Sequence, residues 1–227
     1  VNTNKISRSM AEDQGWKLFL DPKMKGRYGV LTYDNWNIMH MCLTGDQNPY
    51  EKMDAAGLAK FSETAKTIFA GAKMLTDDLV AMNTALINGE IDAYFTGGTY
   101  TASPARFDGA KNIRAITPNS GPVDGKSGIV WVELTSLVNN PNPSSLAEDF
   151  LEYAQGADVS KAVSFTEGTY NPVSQMGDPA VFSKYSSDEL DAIQWDSLSE
   201  EMSRSLDYEI VESYDELNVL YNAAKRG

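Results

Sequence analysis

The chain is predicted to fold as an α/β protein, a mixed sheet flanked by helices, and three observations predict it. Short apolar runs alternate with segments of helical period through the first half of the chain. Clusters of Gly, Asn, Asp and Pro separate them. The run Ser127-Gly128-Ile129-Val130-Trp131-Val132-Glu133-Leu134 follows a glycine-rich turn and reads as a strand buried on both faces. With 227 residues, 42% of them hydrophobic and 22% charged, the chain is long enough for a core and has the composition of a globular protein.

In chain order, residues 1–6 read as a short extended segment and 7–15 as a polar connection with a helical turn. An apolar cluster around Trp16, Leu18, Phe19 and Leu20 stops at Asp21-Pro22, and a basic turn, 23–27, follows. Residues 28–33 read as a strand. Asp34 or Asn35 then caps a short helix ending near Gly45. Leu58, Phe61, Ala65, Ile68 and Phe69 give 53–69 a helical period. A short strand is expected at 72–75, and Thr76 as the cap of a helix running to Ile87. Residues 91–96 and 113–117 read as strands. Gly97-Gly98-Thr99-Tyr100 is a strand-to-helix turn whose glycines let a backbone approach a ligand or simply turn the chain.

Beyond the strand at 127–134, residues 139–145 form a Pro/Asn/Ser linker. Ser144 is expected to cap a helix to Gln155, and Asp158 another to Phe165. Residues 168–172 are a turn presenting Tyr170. Residues 179–206 are expected to be mostly helical and acidic, and 208–224 a closing helix with Val211, Tyr214, Leu217, Leu220 and Tyr221 on one face.

The net charge, 19 − 32 = −13, argues against nucleic acid, whose phosphates need a basic surface. One cysteine, Cys42, builds neither an internal disulfide nor a cysteine metal site, and the residues call for no cofactor. No stretch approaches the length of a membrane span, so no direct membrane insertion is expected. No signal-peptide pattern stands at Val1, leaving a cytoplasmic, processed or truncated chain open. The loop Gly121-Pro122-Val123-Asp124-Gly125-Lys126-Ser127 has three residues between its glycines where a phosphate loop has four, and a strand follows it, so a nucleotide site is rejected.

Trp131 and Glu133 are the candidate site. Two apart on a strand, they point to one side, and a π-face beside a carboxylate suits a small organic cation. The plainer reading makes Trp131 core and Glu133 the start of a loop. Asp34, at a strand-to-helix junction, is a ligand contact or an N-cap. His40, without a second ligand candidate, reads as a packed or surface residue.

Taken together, these segments resemble the periplasmic spermidine/putrescine-binding proteins of ABC transporters, with the type II periplasmic-binding fold. Val1-Asn2-Thr3-Asn4 resembles the first inter-lobe crossover strand, and 16–26, with Asp21-Pro22 and Gly26, the opening of the second lobe. Asp34 resembles the family's strand-end aspartate and Asn88-Gly89-Glu90-Ile91-Asp92 a characteristic turn. Trp131-Val132-Glu133 resembles its Trp-x-Asp, which grips a ligand ammonium, and 168–172 a turn with Tyr170 displaced by one residue. The likeness spans nearly the whole chain through the order and spacing of individually weak motifs.

The resemblance implies a periplasmic solute-binding protein that takes up a polyamine or similar organic cation and hands it to a membrane ABC permease. Residues 1–130 would be the first part of lobe two, 131–178 a returning segment of lobe one, and 179–227 a helical segment packing back on lobe two. Much of lobe one would then be missing, leaving sheet edges and apolar surface uncovered. Trp131 and Tyr170 would supply aromatic faces, and Glu133 and Asp34 carboxylates. Three positions depart from the pattern. Glu133 stands for aspartate, Asn37 falls where a second acid can stand, and Gly97 lies where a tryptophan wall is common, a wall that Phe95 and Tyr100 are candidates to replace. A ligand-sensing module on the same fold and a carboxylate-based glycoside-acting enzyme, with Glu133 and Asp34 as its pair, are the rival readings.

Overall fold

The computed structural model describes residues 1–166 and 168–227 and has a mixed α/β architecture. Helix α1 (Arg8–Gln14) starts where Ser7 accepts from the Met10 amide, so the expected polar connection is helical. A 3-10 segment, Gly15–Leu20, turns Leu18 and Phe19 inward. Strand β1 (Tyr28–Leu31) is wholly buried, and helix α2 (Asp34–Thr44) follows it. Tyr33 is the residue preceding α2 and no side chain caps the helix, so Asp34 opens the first turn and does not act as the cap.

Helix α3 (Ala55–Gly71) is capped by Asp54, which accepts from the Gly57 amide at 2.8 Å. Strand β2 (Met74–Thr76), helix α4 (Leu79–Ile87) and strand β3 (Ala93–Phe95) come next. Asp78, and not Thr76, caps α4, accepting from the Val80 and Ala81 amides. Thr76 supports that cap by accepting from the Asp78 amide.

The three strands form a parallel sheet in the order β2-β1-β3, with Gly29 opposite Met74 and Tyr28 opposite Ala93. Alternation along β1 sends Tyr28 and Val30 to one face and Leu31 to the other. The first face packs on Phe19, Ile38, Phe61 and Ile68, and the second on Met82, Leu86 and Ile91. A Cβ at Gly29 would come 2.5 Å from Met82 Sδ, so the bare backbone there lets α4 sit against the sheet.

Helix α5 (Thr99–Phe107) leaves the end of β3. The expected strand at 113–117 does not form. Ile113 makes one bridge, to Asn2, and the backbone of Ala115 is paired instead by the Gln194 side chain, which accepts from its amide at 2.8 Å and donates to its carbonyl at 3.1 Å. The long strand expected at 127–134 shortens to β4 (Gly128–Val130), after which 131–140 runs without regular structure.

Helices α6 (Ser145–Gln155) and α7 (Ala157–Ser164) follow, then a two-stranded hairpin, β5 (Phe165–Thr166) and β6 (Thr169–Tyr170). Gly156 precedes α7, so Asp158 is not its cap and pairs with Lys184 at 2.7 Å. The stretch expected to be mostly helical holds three short helices, α8 (Pro179–Phe182), α9 (Ser187–Ala192) and α10 (Leu198–Ser203). They are followed by strand β7 (Ser205–Asp207), parallel to β4. Helix α11 (Tyr214–Lys225) starts later than its sequence pattern predicts and buries Leu217, Tyr221 and Ala224, with Tyr221 edge-on to Phe69 of α3. Arg106 of α5, almost fully buried, donates to the Lys111, Ile113 and Asp191 carbonyls and to the Asp191 carboxylate, which fastens α5 to α9.

Candidate functional site

The order β2-β1-β3 takes the chain from β1 to the neighbour on one side and then across to the neighbour on the other, and a crevice opens at the carboxyl ends of β1 and β3. A cleft of about 950 Å³ lies there, walled on its far side by β4 and the segment after it. Three elements each bring one large aromatic to this cleft. Trp36 comes from the first turn of α2, Tyr100 from the first turn of α5, and Trp131 from the residue after β4.

The Trp36 and Trp131 rings lie 4.5 Å apart and tilted by 45°, and Tyr100 meets Trp131 edge-on at 5.6 Å. Tyr208, just past β7, lies 5.5 Å from Trp36 at 55°. The rings therefore form a faceted cup and not a flat stack. Glu133 is exposed at its rim, its carboxylate 3.5 Å from the Trp131 indole N–H. Burial raises the Tyr100 phenol above its ordinary range, and Tyr33, Tyr94 and Glu133 nearby add to the rise. Tyr100 is a neutral donor throughout the physiological range.

Beneath the cup, His40 is stacked on Trp16 at 4.3 Å, and its Nδ1 lies 3.3 Å from Thr96 Oγ1. Burial drives the His40 pKa down to about 3, so the ring is neutral. The Trp16 indole donates to the Ser127 carbonyl at 2.8 Å, tying this floor to the start of β4. Thr96 takes φ = +66°, an uncommon conformation for a β-branched residue, and Gly97 beside it has φ = +113°. Together they swing the chain sharply from β3 into α5. A Cβ at Gly97 would stand 2.4 Å from Thr101 Oγ1 and 3.0 Å from the Tyr94 ring, so no tryptophan fits there. At Gly98 a Cβ would lie 3.9 Å from the Trp131 ring, so this turn packs close against the cup.

Of the seven residues proposed from sequence, Trp131, Glu133 and Tyr100 are brought together in the cleft. The other four are not. Asn37 is fully buried and donates to the Leu31 carbonyl at 2.7 Å and to the Tyr221 hydroxyl at 2.9 Å, tying α2 to β1 and α11. Phe95 is core, edge-on to Trp16 and Phe19, and supports the floor from behind. Asp34 faces Lys225 of α11 at 3.4 Å and lies outside the cleft lining. Tyr170 packs on Phe107 and Phe165, leaving its neighbours Asn171 and Pro172 to line the cleft.

Trp36 and Trp16 line the cleft and are functional candidates that the sequence reading passes over, while Tyr208 supports Trp36 from outside the lining. The signal for Trp36 was present: a tryptophan two residues past a strand-end acid, in the first turn of a helix that starts at the ligand-binding edge. The fold and the site define a mixed α/β protein with an aromatic crevice that, among the described residues, carries one acid, Glu133, without a cationic partner. Comparison with protein-family models, with curated proteins and with solved structures finds no match.

Proposed function

We propose that the protein is a solute-binding component that captures a polyamine or similar small organic cation and delivers it to a membrane ABC permease. The observation that carries the reading is the convergence of Trp36, Tyr100 and Trp131 on one carboxylate, Glu133. Aromatic faces attract a cation through their quadrupoles, by about 2 kcal/mol or more when the cation is desolvated, and a carboxylate adds a charge-assisted contact. The chain's net charge of −13 favours the approach of a cation. Delivery to a permease and a periplasmic setting rest on the resemblance to polyamine-binding proteins, as does a binding role in place of an enzymatic one.

Titration calorimetry with putrescine, spermidine, choline, an amino acid and a dicarboxylate tests the capture of a cation. Saturable heat with at least one of the cations and none with the dicarboxylate is expected, with the signal lost in Trp131→Ala. A dicarboxylate binding in place of the cations, or silence from every cation, would overturn the reading.

A further inference from the structure

We infer that the cleft is built for a compact cation with an N-alkylated head, a quaternary or tertiary ammonium carrying a single charge, and not for a chain of primary amines. This rests on the reading above that the cleft takes a cation, and narrows it to a ligand class.

The first ground is the count of acids. Among the described residues, the carboxylates lining the cleft are Glu133 and Glu201. Glu201 is already engaged: it accepts from the Ser197 hydroxyl at 2.6 Å and from the Gln194 amide at 3.2 Å, and faces the Arg114 guanidinium at 3.8 Å. Asp34, the expected second acid, faces Lys225 outside the cleft. Glu133 is therefore the one acid in the cleft lining, among the described residues, with no cationic partner. A diamine or triamine placed here would have one ammonium matched by Glu133 and, among the described residues of the lining, no unpaired acid for the next.

The second ground is hydrogen-bond demand. A primary ammonium carries three N–H donors, each needing an acceptor once it leaves water. The cup offers ring faces, an indole N–H, the Tyr100 hydroxyl and one carboxylate; of the adjoining walls, Thr99 and Thr135 add single hydroxyls and Ile129, Val130 and Leu134 are aliphatic. A tetra-alkylammonium head has no donor to satisfy and spreads its charge over its methyl groups. It is stabilised by π-faces set at angles to one another, which is the arrangement of Trp36, Trp131 and Tyr100.

Calorimetry on the full chain with tetramethylammonium, choline, putrescine and spermidine tests this directly, with 3,3-dimethyl-1-butanol as the uncharged isostere of choline. Choline and tetramethylammonium are expected to bind about tenfold or more tightly than either polyamine, and the uncharged isostere about tenfold more weakly than choline. Glu133→Gln should weaken choline several-fold while leaving the thermal melt in place. Trp36→Leu, which keeps apolar volume but removes the π-face, should abolish choline binding.

A polyamine binding as tightly as choline, or more so, would overturn the inference and leave cation capture standing. The isostere binding as well as choline would overturn it too, because the cup would then be reading shape without charge. Silence from all four cations would remove the capture reading and this inference with it.

Discussion

His40 is the one histidine of the chain, and its burial against Trp16 makes it an acid-sensitive point in the fold. Its ring stays neutral in the native state down to about pH 3, whereas the same group in the unfolded chain takes up a proton near its ordinary 6.5. Between those values the unfolded state binds more protons. The contribution is therefore complete above pH 6.5 and is lost progressively as the pH falls. From pH 7 to pH 5 the loss is about 2 kcal/mol, at roughly 1.4 kcal/mol per unit below 6.5. Urea unfolding at the two pH values should show a fall smaller by about 2 kcal/mol in His40→Gln than in the native chain; the buried Val1 amine, lowered to about 5, adds a fall of the same sign to both. An equal fall in both proteins would show that other groups control acid stability. Asn37 presents the contrast at this scale: a polar residue in the first turns of a cleft helix whose donors are spent on Leu31 and Tyr221, a structural role.

The element on which the site turns is the junction of β3 and α5. Gly98 donates to Thr101 Oγ1 at 3.0 Å, and Tyr94 donates to the same oxygen at 3.0 Å, so one hydroxyl organises the whole turn. Gly97→Ala places a methyl group in the left-handed region and against that hydroxyl. A loss of about 1–3 kcal/mol in chemical denaturation is expected, together with weaker ligand binding as Tyr100 shifts. Gly26→Ala is the control: φ is also positive, at +76°, but the space around it is open, so strain alone should be felt and ligand affinity kept. Equal losses at the two sites would mean that the crowding at Gly97 has no consequence.

This junction also marks how far the sequence could be read. Strands β1 and β3 and the turn between β3 and α5 were legible because apolar runs and paired glycines are local signals. The supposed strand at 113–117 was not, because its backbone is satisfied by the Gln194 side chain, 79 residues away. Trp131 and Glu133 were legible as a pair. Their meeting with Trp36 was not, since it depends on where β4 is laid beside the first sheet, and no local period encodes that placement.

Over the whole molecule, the packing is uneven. Among the described residues, 1–130 holds two hydrophobic cores, one of them shared with α11, and a third, smaller cluster holds Met176, Val181, Tyr185 and Ile193. Segment 131–155 is outside all three, and α6 has no buried residue. Val132, Leu134, Val138, Leu146, Phe150 and Tyr153 are exposed along it, Leu134 and Val138 by 85% and 87%. Such a segment opens at low free-energy cost. Limited chymotryptic digestion should cut first between 131 and 153, while the far-ultraviolet dichroism of the remaining fragments persists. A first cut inside 28–95 would contradict this ranking.

All four tryptophans of the chain, Trp16, Trp36, Trp131 and Trp195, border the same cleft. Intrinsic emission is therefore a report from that one place, with no indole elsewhere to dilute it. Trp16 is held by its bond to the Ser127 carbonyl, while Trp131 sits at the start of an irregular stretch. Light absorbed by the eleven tyrosines passes towards those same rings. The molecule thus carries its own optical gauge of occupancy, and no dye need be attached to follow the cleft filling and emptying.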